Sequence, residues 1–356
     1  MRVEITRPAH KGQGIGQAPD GRVIFVSQTA PGDVVEVADF TEHKNFLEAN
    51  SFEIISPAPG RIPVSCPAAA AGAGCCDFSF LDIAAQREIK KQVLADSLRR
   101  IGRFEGVEIE LRELSPVTHW RTRARFVVTD GALAQRAKNS HELVYAHCTQ
   151  MHEALYEYAG PDGEVTLAVD DSGQVHAGAD QLIRRIGAYE FKGKAEDFWQ
   201  SHLAAPTVFN EIIAELLEGR KVTTAWDLYG GAGALIPSLL ASGARQVHSV
   251  DIGGTPGNFG AQVQFHRAKV EQWVRRRKAK NVDVIVLDPP RVGMHREVSK
   301  ALGASAKTLV HVGCDPASFA RDVRRWVDQG YRLERVILAD SFPHTHHFES
   351  FALLGV

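Results

Sequence analysis

The sequence predicts an α/β protein: a doubly wound, mostly parallel sheet at the C-terminal end, preceded by a small N-terminal β-domain and a central α+β segment. Three observations carry this expectation. From about residue 196 onward, short apolar runs alternate with helix-like stretches, the pattern of strands joined by crossover helices. The run Thr224-Ala-Trp-Asp-Leu-Tyr-Gly230 leads straight into a glycine-rich turn, where such sheets place their ligands. The first 57 residues instead hold short alternating runs separated by turn signals. A chain of 356 residues is too long for one ordinary core, so three units are expected, at residues 1–57, 58–195 and 196–356.

In the N-terminal unit the strand candidates are Arg2-Val-Glu-Ile-Thr6, Arg22-Val-Ile-Phe-Val26, Asp33-Val-Val-Glu-Val37 and Phe46-Leu-Glu-Ala-Asn50. Lys11-Gly-Gln-Gly-Ile-Gly16, Pro19-Asp-Gly21 and Pro31-Gly32 punctuate them, and Pro57 to Pro63 reads as a linker. Between Asp82 and Phe104 apolar residues recur at helical spacing, with Asp82 as N-cap. Residues 118–190 return to alternation, as in Arg125-Phe-Val-Val-Thr129, with a hairpin turn over Ala168 to Gly173. A helix from about His202 to Gly219 opens the C-terminal unit. Strands are then expected at Thr224 to Leu228, Gln246 to Asp251, Asp283 to Asp288, Thr308 to Val312 and Arg332 to Leu338.

The apolar runs are far shorter than the ~20 residues of a membrane-spanning helix, and Met1-Arg-Val-Glu-Ile5 has no apolar core of a secretory signal. A cytoplasmic monomer without membrane association is expected. A net charge of −2 argues against non-specific, charge-driven nucleic-acid binding, yet leaves room for a local basic channel. Lys90-Lys91 with Arg99-Arg100, the Arg121 to Arg125 strand and Arg275 to Lys280 are basic clusters. Each reads singly as a solvated face; together they lend some support to an RNA partner. Cys66, Cys75 and Cys76 lie close together, with Cys148 and Cys314 downstream, a distribution that suggests metal or catalytic chemistry before disulfides.

Four segments carry chemistry. Asp227-Leu-Tyr-Gly-Gly-Ala-Gly233 is a strand end, an acid and a turn whose glycines allow close approach of a cofactor. A dinucleotide fingerprint fails at its last position, because Gly231-Ala-Gly233 is followed by Ala234, Leu235 and Ile236. Asp251, at the end of the next strand, is placed to bond a ribose hydroxyl pair. Asp288-Pro-Pro-Arg291 makes a rigid extended turn that suits a planar base and favours S-adenosylmethionine (SAM) over nicotinamide. Cys314 follows a strand and precedes a helix, so it points into the crevice; the helix N-terminus and Arg321 are expected to lower its pKa toward neutrality. Glu349, after Phe342-Pro-His-Thr-His-His347-Phe, is a candidate general base. The three histidines lack the spacing of a structural zinc site.

In this order the blocks resemble the RNA 5-methyluridine methyltransferase family, over nearly the whole chain. The resemblance implies that residues 1–57 form a TRAM domain, an OB-like RNA-binding barrel, ahead of a Rossmann-like SAM-dependent domain. Phe198-Trp-Gln200 is similar to the family's Phe-x-Gln motif, implying that Gln200 contacts SAM, as do Asp227, Tyr229, Gly231, Gly233, Asp251 and Asp288. Cys314 is then the nucleophile, adding to carbon 6 of uracil so that carbon 5 gains electron density. Asp288 and Arg291 support the base and its enolate, and Glu349 removes the carbon 5 proton. The implied partner is an rRNA or tRNA uridine, flipped out or already unpaired.

Two departures stand out. Asp251 is followed by a glycine-rich loop, Ile252 to Gly260, in place of the family's helix, which abbreviates the adenosine side of the pocket. Many relatives also bind a 4Fe-4S cluster on Cys-x5-Cys-x2-Cys plus a distant Cys. Here Cys66, Cys75 and Cys148 fit three positions, Gly72 occupies the fourth, and Cys76 is the available substitute. The alternatives are a bound cluster or a vestigial loop of buried thiols. The rival to an enzyme is an RNA-binding or chaperone protein with a degenerate SAM pocket; the intact Cys314, Asp288-Pro-Pro-Arg291 and Glu349 set speaks against it.

Overall fold

The computed structural model describes residues 1–277 and 282–356. Of the basic run Arg275 to Lys280, Lys278 and Lys280 lie outside the described residues. Strands β1 (Arg2–Pro8), β2 (Gly14–Gln17), β3 (Val23–Val26), β4 (Val34–Glu42) and β5 (Phe46–Ser56) close into a barrel in the order β1-β2-β3-β5-β4. Alternate side chains such as Val3, Ile5, Ile24, Val35 and Leu47 fill it, the expected result of period-two patterning. Gly14 and Gly16 are required: a Cβ on either would lie 2.2 Å from Thr29 Oγ1 or 2.3 Å from Val3 Cγ1.

The segment read as a linker is pinned rather than slack. Buried Asp33 accepts from the backbone N–H groups of Ala30 (2.8 Å) and Ala58 (2.7 Å) and from Arg61 (2.7 and 3.0 Å). Arg61 in turn lies 4.6 Å from the centre of the Phe80 ring. Both Asp33 oxygens are thus occupied, which a buried carboxylate requires.

Next come α1 (Pro67–Ala70) and the long α2 (Ile83–Arg100), whose N-cap Asp82 accepts from Ala85 N at 2.8 Å. After β6 (Ile109–Glu113), the central unit is built from β7 (Arg123–Thr129), β8 (Ala132–Arg136), β9 (Leu143–Val144), β10 (Gly163–Val169) and β11 (Val175–Ala177). These form one sheet in the order β11-β10-β7-β8-β9, and β12 (Gln181–Ile186) pairs with β13 (Tyr189–Lys194) as a hairpin. A cysteine-bearing core lies against this sheet, where Cys66, Cys76 and Cys148 pack with Phe126 and Leu155.

The C-terminal unit adds α3 (Ala205–Leu216), β14 (Thr224–Leu228), α4 (Ile236–Ala241), β15 (Gln246–Asp251), β16 (Val263–Arg267), α5 (Val270–Arg277) and β17 (Val282–Leu287). It ends with α6 (Arg296–Leu302), β18 (Ala306–Gly313), α7 (Pro316–Val327), β19 (Arg332–Asp340) and β20 (Glu349–Gly355). Its sheet runs β16-β15-β14-β17-β18-β20-β19-β6. The strands from β16 to β18 are parallel, and β20 inserts antiparallel between β18 and β19.

Within residues 82–113, β6 pairs parallel with β19 and α2 packs on α7. The reason is a buried ion pair that local pattern cannot announce. Lys90 Nζ donates to Asp340 Oδ1 (2.6 Å) and to Phe342 O (3.0 Å), and Arg87 Nε donates to Asp340 Oδ2 (3.0 Å). Lys90 and Asp340 are 1% and 0% exposed, so each depends on the other for charge compensation. No helix among the described residues is long and apolar enough to cross a membrane.

Lys90→Ala leaves the Asp340 carboxylate buried without its main partner. We expect a loss of about 3–5 kcal/mol, read as a lowered thermal midpoint; an unchanged midpoint would show that the pair does not hold α2 in place.

Candidate active site

The carboxyl ends of β14, β15, β17 and β18 converge on one crevice, as parallel sheets do. Past β14, Tyr229 (φ 63°), Gly231 (φ 55°) and Gly233 (φ 85°) turn through the left-handed region. A Cβ on Gly230 would lie 1.9 Å from Asp227 Oδ2, so the turn sits directly on that carboxylate. Buried Asp227 accepts from Ser249 Oγ (2.8 Å), its Oδ1 lacks a partner among the described residues, and burial pushes it up to about 6.

Asp251 binds the crevice together rather than standing free. Its carboxylate accepts from Gly231 N (3.1 Å) and Gly253 N (2.7 Å). The shortened loop is further stitched to the turn by Gly257 N donating to Ala232 O (3.0 Å). Gly254 packs so tightly that a Cβ would meet Gly231 C at 2.6 Å. The loop that replaces a helix is therefore an ordered wall of the pocket.

From β17 the chain enters Asp288-Pro-Pro-Arg291, anchored by Asp288 N donating to Leu228 O (3.1 Å) and by Ser318 Oγ donating to Arg291 O (2.9 Å). Burial, followed by the fields of Asp227 and Asp251, pushes Asp288 up to about 7. From β18, Cys314 stands just before α7, whose N-cap Asp315 accepts from Ser318 N at 2.8 Å. His10, on the barrel, approaches the same Asp315 carboxylate at 3.6 Å.

Strand register explains why Cys314 and Glu349 meet. Gly313 pairs with Ser350 across the antiparallel β18–β20 ladder. Cys314 and Glu349 are the next residues outward on each strand, so they face each other at the mouth of the ladder. Glu349 is 7% exposed and its Oε2 has no partner among the described residues. Burial, then the charge of Asp288, raises its pKa well above the carboxylate range, while Arg291 opposes.

A cavity of about 910 Å³ joins these groups. Gln200, Tyr229, Gly231 and Asp251 line one part of it, and Asp288, Arg291, Cys314 and Glu349 another. Of the other sequence-predicted positions, Asp227 and Gly233 support the turn from beneath, Gly233 against Ile236 and Phe259. Cys66, Cys75, Cys76 and Cys148 converge separately, with all four Sγ atoms within 4.8 Å of one another. Cys75 also reaches the cavity wall.

The expectation for Cys314 is corrected. Burial, then the acids Glu349 and Asp288, pushes its thiol up to about 12, and Arg291 only partly offsets this. Arg321, the predicted helper, is turned away: it donates to Val292 O (2.7 Å) and pairs with Asp322. The helix N-terminus is already capped by Asp315.

Sequence reasoning missed several cavity groups. Arg184 is 5% exposed, with one guanidinium nitrogen unpartnered among the described residues and its centre 5.4 Å from the Trp199 ring; burial lowers it to about 10. Arg121 was seen only as part of a basic strand, although it lines the cavity, half-buried, within electrostatic reach of Cys75, Cys76 and Cys148. His347, first weighed as a metal ligand, is held neutral by burial and by His346 and Arg291, which bring it down to about 3. The adjacent His346 is bound through its ring and its backbone N–H (3.0 Å) to Asp77. Polar residues within an otherwise apolar β-alternation, such as Arg184 in Gln181-Leu-Ile-Arg-Arg-Ile186, were the available signal.

Comparison with known proteins agrees with this geometry. The family described as tRNA (Uracil-5-)-methyltransferase matches residues 263–355, and the TRAM domain of tRNA (uracil(54)-C(5))-methyltransferase matches residues 1–59. The chain is 37% identical to an RNA methyltransferase of Corynebacterium glutamicum, over 98% of this chain and 95% of that one. It is 29% identical to a 23S rRNA (uracil(1939)-C(5))-methyltransferase of Chromohalobacter salexigens, over 99% and 88% of the two chains. Its fold is that of Pyrococcus abyssi tRNA (uracil-54, C5)-methyltransferase, solved with S-adenosyl-L-homocysteine, with a TM-score of 0.75, 21% identity and coverage of 99% and 100%. With family matches at both ends and full-length likeness to RNA methyltransferases between them, the chain belongs to the RNA uracil-C5 methyltransferase family and carries its TRAM domain.

Proposed function

We propose that this protein methylates carbon 5 of a uridine in rRNA or tRNA through a covalent Cys314–uracil adduct, acting as a cytoplasmic monomer. The observation that carries the reading is the β18–β20 register, which sets a thiol and a buried carboxyl across one cavity beside Asp288. SAM fits the part of the cavity past β14 and β15: the left-handed Gly231 leaves open space where a side chain would stand, and Gln200, Tyr229 and Asp251 line the same cavity. When bound, SAM supplies the electrophilic methyl that carbon 5 accepts, and a positive charge that favours the ionised forms of Asp288, Cys314 and Glu349. A degenerate binder is not favoured, since the shortened loop is stitched to the glycine turn rather than collapsed into the cavity.

The residues then divide the work. Cys314 gives up its proton to solvent and its sulfur adds to carbon 6, moving the pair of the 5,6 double bond through carbon 5 toward the exocyclic carbonyl oxygen at carbon 4. Asp288 bonds the base edge, and the Arg291 guanidinium faces the developing enolate charge. Once carbon 5 carries its new substituent, ionised Glu349 takes the proton from that carbon. The pair so released restores the 5,6 double bond and expels the Cys314 thiolate. Of the two readings of the remaining cysteines, their convergence supports a bound metal centre over a vestigial loop. No step of the methylation passes through it.

The sign of the pH dependence follows from the raised values. Cys314, near 12, and Glu349 both begin protonated, whereas the reaction needs each of them ionised. We expect kcat/KM to climb with pH from about 6 to about 9 without a plateau, because the free enzyme's essential groups set that profile. A flat profile above pH 6 would show that both groups ionise readily.

Cys314→Ala should abolish methylation of a uridine-containing RNA while retaining RNA binding in a gel-shift assay. Residual methylation at the wild-type rate excludes the covalent route. Glu349→Gln should slow turnover by about 10²–10⁴-fold and accumulate a protein–RNA adduct that survives a denaturing gel. Titration calorimetry should detect SAM binding, and no binding at millimolar ligand would instead support the non-enzymatic alternative.

A further inference from the structure

We infer that Cys66, Cys75, Cys76 and Cys148 hold one tetrahedral divalent ion, zinc being the best fit, and that the four-iron cluster of many relatives does not suit this chain. The spacing of the sulfurs carries the argument. Cys75 and Cys148 lie 3.2 Å apart, Cys76 and Cys148 3.3 Å, and Cys75 and Cys76 3.6 Å, with all four inside 4.8 Å. Four thiolates about 2.3 Å from a single zinc stand about 3.8 Å apart at the corners of a tetrahedron. A four-iron cluster instead gives each cysteine its own iron and interposes four sulfides, so the thiolates must stand wider around a box of inorganic atoms. Adjacent cysteines serve one ion readily and two separate irons poorly.

The surroundings fit a compact anionic centre. Cys66, Cys76 and Cys148 are buried with Ala68, Met151 and Leu155, which exclude water from the thiolates. One divalent ion with four thiolates keeps net negative charge, and half-buried Arg121 lies within electrostatic reach of Cys75, Cys76 and Cys148. The Tyr156 hydroxyl accepts from Cys148 N at 2.7 Å, fixing that ligand's backbone as supporting partners of metal sites do.

This position gives the ion a mechanical role, which rests on the reading of Glu349 as the base. Directly after Cys76, Asp77 accepts from His346 N (3.0 Å) and Phe78 N donates to His344 O (3.0 Å). Two residues after Cys148, Gln150 Nε2 donates to Pro343 O (3.0 Å). The ion therefore joins two segments that are both hydrogen-bonded to the loop leading into Glu349.

The test is metal and sulfide analysis of the full chain purified without oxygen, followed by cobalt substitution. We expect one ion per chain, no acid-labile sulfide, colourless protein, and a cobalt form with thiolate charge-transfer and tetrahedral ligand-field bands. Brown protein with several irons and matching sulfide would overturn the inference. So would protein that takes up neither zinc nor cobalt in the reduced state. Cys148→Ser, or chelation of the unaltered chain should the variant not fold, should also speed amide exchange across residues 342–348. Unchanged exchange in metal-free protein would overturn the clamp. None of these readouts uses methylation, so they fail independently of the proposed activity.

Discussion

The insertion of β20 antiparallel between β18 and β19 is the constraint on which the rest depends. It is the one strand that enters the parallel part of the sheet from the opposite end. Its first residue therefore lands beside the last residues of β18, at the edge where the parallel strands deliver their loops. A one-residue slip in this ladder would turn Glu349 to the other face of the sheet and leave Cys314 opposite a different side chain. The Lys90–Asp340 pair and the Asp77–His346 contact secure the loop that precedes β20, and so protect that register.

The cavity concentrates acids that disfavour one another. Buried Asp227 and Glu349 and half-buried Asp288 gather about the crevice, and each is shifted toward its neutral form, as is the Cys314 thiol. Such a site resists carrying several negative charges at once. The ionised forms become favourable in the company of a cation, which under the proposed mechanism would couple the Cys314 thiolate to the arrival of SAM. The pocket and the thiol are parts of one electrostatic unit.

Much of this was legible in the sequence. The alternation of Val3, Ile5, Val35 and Val37 marked the barrel, and the strand-turn signals around Asp227, Asp288 and Cys314 marked the sheet and its crevice. These features are local, so neighbouring residues suffice to specify them. What was hidden depends on distant partners. β6 carries no strand expectation of its own and is fixed only by its pairing with β19. The Cys314 thiol reads as activated when only its own helix is considered. Its true neighbours, Glu349 and Asp288, come from other strands, and their charge with burial reverses the direction. Arg184 and Asp77 were hidden for the same reason, each gaining its setting from a segment far along the chain.

Asp33 saturates its carboxylate with the two ends of the connection between barrel and core, and His10 reaches across to Asp315 beside the nucleophile. The barrel is thereby seated as a fixed jaw and not as a tethered float. An RNA that touches both surfaces must supply the bending itself. Under the proposed RNA activity, the cost of deforming a loop to span that set distance would enter the choice of RNA.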